Sequence, residues 1–98
     1  MNKAVYIKAD GTEQVEEHRP SLEQAQKFIG GYVEIAHVLG DENERCQMLV
    51  NECGHIVAPH LPFNAKATNY YANTHAARWS GHTIVGDVIM LYGKCKWR

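Results

Sequence analysis

Net charge is almost missing from this chain. Ten Lys and Arg stand against eleven Asp and Glu, leaving a formal charge of −1. Nucleic-acid binders gain affinity by releasing counterions from phosphates onto a basic surface. The bulk composition therefore argues against a nucleic-acid partner. No apolar run approaches the roughly 20 residues that a membrane-spanning helix requires, so no membrane contact is expected. The opening "MNKAVYIKADG" turns polar too early for a secretory leader. Cysteine is sparse: Cys46, Cys53 and Cys95 are odd in number and show no C-x-x-C spacing. Reduced thiols in a soluble, cytoplasmic protein suit that pattern. Internal repeats, linkers and low-complexity stretches are also missing.

What is present fits one domain, residues 1–98. A chain of this length buries about 65% of the surface it exposes when unfolded, enough for one modest core. Hydrophobic residues make up 45% of the chain, which is near the globular average and argues against disorder.

The patterns along the chain alternate between strand and helix. "AVYIKA" (4–9) reads as a strand with Val5 and Ile7 on one face. Asp10-Gly11 signals a tight hairpin, because both residues tolerate positive φ. "TEQVE" then returns as a polar edge strand. Ser21 and Gln24 have capping-box spacing. Leu22, Ala25, Phe28 and Ile29 share a helix face, and Gly30-Gly31 stops the helix. "YVEIAHVL" (32–39) follows as a strand with Val33, Ile35 and Val38 or Leu39 on its buried side. "CQMLVN" (46–51) and "HIVA" (55–58) read as strands around an "ECG" turn. Asn64 caps a second helix over 65–79, with Ala72, His75, Ala76 and Trp79 as its apolar face. "HTIVGDVIMLYG" reads as a strand or a tight hairpin on Gly86-Asp87. The expected fold is α+β: a mainly antiparallel sheet of five or six strands packed by two helices.

The segments "ADGT", "LEQAQKFIGGYVEI", "NECGHI", "PFNAKATNYY" and "IVGDVIML" occur in that order. In this they resemble an uncharacterised family of small phage and bacterial proteins, classed as a domain of unknown function. The resemblance runs from Ala4 to Leu91. It implies an α+β domain often encoded by phage or mobile elements, and it brings no catalytic residues. The cysteines and most histidines lie outside the shared motifs.

Three groups of residues carry candidate chemistry. Cys53, His55 and His60 crowd one stretch, "NECGHIVAPH", and with another cysteine would make four zinc donors. Their spacing lacks the two close pairs of a zinc site. As a nucleophile Cys53 is poorly placed, because the neighbouring Glu52 raises a thiol's pKa. Asn64, Lys66, Thr68 and Asn69 cluster at the start of the second helix, where free N–H groups can receive an anion. With the turn residue Asp87, the first three are the ligand-binding candidates. Ordinary N-capping by Asn64 is the competing explanation. Gly30-Gly31 follows a helix instead of preceding one, which is the wrong order for a phosphate loop. Tyr70, Tyr71, Trp79 and Trp97, interleaved with basic residues, suggest a stacking surface for single-stranded nucleic acid or a protein contact. Near-zero net charge favours protein.

The expectation is a non-enzymatic phage-type accessory or binding protein acting through protein or small-ligand contact. No catalytic residue and no cofactor are assigned. The expected partner is a second copy, forming a homodimer, or a host protein. A Cys/His metal protein or enzyme, and a single-stranded nucleic-acid binder, are the alternatives.

Overall fold

The computed structural model describes residues 2–53, 61–75 and 83–97. Among the described residues five strands form one antiparallel sheet: β1 (Lys3–Ile7), β2 (Glu13–Glu16), β3 (Val33–Leu39), β4 (Arg45–Asn51) and β5 (Val88–Tyr92). Their order across the sheet is β2-β1-β5-β4-β3. Two helices pack on it, α1 (Leu22–Ile29) and α2 (Ala65–Thr74). The α+β architecture expected from the sequence is the one observed.

The helices lie on opposite faces of the sheet. Alternate residues of one strand point to opposite faces, and the two core clusters divide on that parity. Val5, Ile7, Val38, Cys46, Met48, Val88, Met90 and Tyr92 pack with Ala67, Tyr70 and Tyr71 of α2. Ala4, Leu49, Ile89 and Leu91 pack with Ala25, Phe28 and Ile29 of α1. Tyr6 meets Phe28 edge to face, with ring centroids 5.0 Å apart. Strand β5 lies between β1 and β4 and is buried along its whole length. Its uninterrupted run VIMLY fits that position, since a strand covered on both faces has no polar side to alternate with. Each such side chain contributes about 1.5–3 kcal/mol by leaving water.

Local signals explain the element ends. Ser21 and Gln24 form the full capping box, with bonds of 3.1 Å and 2.9 Å. Gly30 ends α1 at φ 86°, a left-handed conformation that costs glycine little. The β1–β2 hairpin closes through Lys8 N–H donating to Thr12 C=O at 2.8 Å. Asp10 accepts the Thr12 N–H at 2.8 Å, and hydrogen bonds from the Thr12 hydroxyl and N–H hold its carboxyl below the usual range.

Some expectations shift. Gly86-Asp87 makes no hairpin: Val85 bridges Phe63 antiparallel, and the chain then runs straight into β5. Leu22 shares the helix face expected of α1 and Ile35 the buried side expected of its strand, yet Leu22 is exposed and Ile35 keeps 37% of its surface. Leu22 opens the short helix α1 and Ile35 lies on the edge strand β3, where cover runs out. The packed face of α2 runs through Ala67, Thr68, Tyr70 and Tyr71. Of the face expected instead, Ala72 and His75 are half-buried, while Ala76 and Trp79 lie outside the described residues. So do the whole of the expected 55–58 strand and the helix beyond His75.

Candidate binding groove

The sequence candidates at the start of α2 do come together. Asn64 is fully buried. Its Oδ1 accepts the Ala67 N–H at 3.0 Å, and its Nδ2 donates to the carbonyls of Ile7 (3.2 Å) and Gly86 (2.9 Å). The Thr68 hydroxyl accepts the Ile84 N–H at 2.8 Å. Asp87 accepts the Ala9 N–H at 3.0 Å. Lys66 reaches Glu13 on β2 at 2.8 Å across a surface ion pair. All four side chains thus have intramolecular partners, and they pin α2 to the end of β1 and to the entry of β5. No buried side-chain N or O among the described residues lacks a hydrogen bond.

The thiols are dispersed. Cys46 is buried, donates to the Val38 carbonyl at 3.5 Å, and is pushed up to about 11 by burial. Cys95 is buried against the Glu17 carbonyl at 3.4 Å. Cys53 is half-buried in the turn after β4, and its N–H donates to Asn51 Oδ1 at 2.9 Å. His55 and His60 lie outside the described residues. Among the described residues no three His, Cys, Asp or Glu converge as metal ligands.

The aromatics are engaged in packing. Tyr70 and Tyr71 pack on the core, and the Tyr70 hydroxyl donates to Asp41 at 2.8 Å. Trp97 packs on the α1 side, and its indole N–H donates to the Pro20 carbonyl at 3.0 Å. Gln47 clamps the Trp97 backbone twice, at 2.6 Å and 2.7 Å. Trp79 lies outside the described residues. Within the described residues no helix is long and apolar enough to cross a membrane.

The sequence marked Tyr71 as a stacking aromatic and His75 as a helix-face residue, but not the cavity that they help to form. A groove of about 500 Å³ opens on the α2 side of the sheet, at the end where β3 meets β4. Ala36, Val50 and Ile84 give it apolar walls, Tyr71 and His75 flank it from α2, and Glu34 and Glu52 bring carboxylates to it. The His75 ring lies tilted against Tyr71, with centroids 4.6 Å apart. Its Nε2 lies 3.3 Å from the His37 carbonyl.

The groove runs onto the outer edge of β3. In an antiparallel edge strand, alternate residues turn both N–H and C=O outward. The Leu39 N–H donates to Thr74 Oγ1 at 2.7 Å, and the His37 carbonyl faces His75, so the odd-numbered residues point outward. Thr74 and His75 of α2 therefore cap one end of the edge. Beyond them, Val33 and Ile35 turn two N–H and two C=O groups outward, and no partner among the described residues meets them. On β2, the opposite edge, Glu13 and Glu16 supply the charge that discourages pairing.

Comparison with family models, curated proteins and solved structures finds no match to the chain. The phage-family resemblance therefore rests on the motifs alone.

Proposed function

We propose that this chain is a non-enzymatic binding protein that acts through protein contact, taking an extended polypeptide segment as an added strand on β3. One observation carries this reading: the outward backbone groups of Val33 and Ile35 lie unmet among the described residues, beside a groove with apolar walls. Main-chain hydrogen bonds give affinity in strand addition, and pockets for alternate side chains give selectivity. A cytoplasmic accessory role of the phage type is consistent with such a module. A second copy supplying the strand would make it the homodimer expected from the sequence.

Ile35→Pro tests the reading. Proline removes one outward N–H at an edge position, where it disturbs the sheet least. NMR titration with blocked alternating pentapeptides should move the Val33 and Ile35 resonances in the native chain, and proline at 35 should abolish binding while leaving the fold intact. Peptides that leave β3 unmoved, together with a monomeric mass at every concentration in sedimentation, would overturn the proposal.

A further inference from the structure

We infer that the segment added to β3 alternates aliphatic and cationic residues, with its aliphatic side chains toward α1 and its cations toward the groove. This rests on the strand-addition reading above. The two faces of the β3 edge differ in chemistry. On the α1 face an added strand meets Val33, half-buried, and Ile35, partly exposed. Cross-strand aliphatic pairs are the favourable neighbours there. On the α2 face it meets Glu34 and Ala36, and beyond them the groove. Its described lining holds two carboxylates, Glu34 and Glu52, and no Lys or Arg. Both glutamates are exposed.

A side chain on that face of the added strand takes a path past Glu34 and Ala36 into a groove that Val50 and Glu52 also line. Lysine and arginine match that path, because they lay an apolar stem along the wall and keep the charged head in water. An aspartate or glutamate would place like charges opposite one another. The length of the site is also bounded. Thr74 and His75 occupy the edge at Leu39 and His37, so the added segment stops short of His37 and pairs with Val33 to Ala36, a stretch of about four residues at ~3.4 Å each.

The test uses three end-blocked pentapeptides with valine at alternate positions and lysine, glutamine or glutamate between them. Binding is followed by NMR at Val33 and Ile35 at low salt. The lysine peptide should bind roughly tenfold tighter than the glutamate peptide, and the advantage should shrink as salt rises. The double variant Glu34→Lys, Glu52→Lys alters exposed positions only and should reverse the order. Equal binding of all three peptides at β3, or preference for glutamate in the native chain, overturns the charge assignment and leaves strand addition standing. If no peptide moves Val33 or Ile35, both fall.

Discussion

Asn64→Ala should be among the most damaging single substitutions in this chain. The asparagine sits at zero exposure and fills all three side-chain hydrogen-bonding roles the site offers. Alanine removes the cap of α2, worth about 1 kcal/mol. It also takes the side-chain donor away from the buried carbonyls of Ile7 and Gly86, at about 1–2 kcal/mol each. The sum is about 3–5 kcal/mol, a large part of the 5–15 kcal/mol that typically holds a domain together. Urea unfolding followed by far-UV circular dichroism measures it. With a slope of about 1.3 kcal/mol per molar urea, the midpoint should fall by about 2–4 M. Asn64→Asp sharpens the reasoning. It keeps the cap acceptor but turns a second oxygen toward two carbonyls, so the ionised form is repelled and the folded pKa rises. A raised folded pKa gives stability that is present at low pH and lost as pH rises through it. The aspartate variant should therefore unfold more readily at pH 7 than at pH 4.5. A cost below about 1 kcal/mol for Asn64→Ala would refute the account of this residue as the pin between α2, β1 and β5.

Other outcomes follow from the same packing. Lys66→Ala breaks an exposed pair with Glu13 and should change stability by less than about 1 kcal/mol; a larger loss in the same urea assay would mean that the pair is not a surface one. Gly40→Ala would drive a Cβ into the Tyr92 ring and hydroxyl and should cost about 1–3 kcal/mol, with Tyr92→Phe less damaging in that background than alone; strict additivity would count against the clash. Cys46 and Tyr92 rise from ordinary values of 9.0 and 10.0 to about 11 and about 12, chiefly through burial. Stability should hold below about pH 9 and fall as pH climbs toward 12, and Cys46→Ala should flatten the first half of that fall in pH-resolved thermal melts. Among the three thiols, Cys53 should react first with a disulfide reagent in the native protein, while Cys46 and Cys95 wait for unfolding; equal rates would contradict their burial.

Much of the fold was legible because its signals are local. Ser21 with Gln24, Asn64 before α2, Asp10-Gly11 and Gly30 each announce an element end through their own backbone chemistry. The charged "TEQVE" announced an edge. Exposure was harder to read. Ile35 and Leu22 fit a buried pattern, but whether a neighbour reaches them depends on helix length and sheet order. Asn64 and Thr68 are buried although polar, since distant backbone groups at Ile7, Ile84 and Gly86 satisfy them. The groove was not legible at all. It gathers Glu34, Val50, Tyr71 and Ile84 from separate segments, and no spacing along one element records their meeting.

The position of β5 also governs how the chain can acquire its shape during synthesis. β1 pairs with β2, and β3 with β4, as two hairpins of neighbouring segments. Among the described residues nothing in the sheet joins those hairpins until residues 88–92 emerge and slide between them. A ribosome-bound chain that has passed α2 but not β5 would carry two half-sheets with apolar flanks and two extra open edges. Such a nascent intermediate invites chaperone binding or mispairing. Closure depends on contacts that reach across more than 80 residues, which makes it a late and comparatively slow event. A release that stops short of Val88 should yield an aggregating fragment, not a smaller version of the same domain.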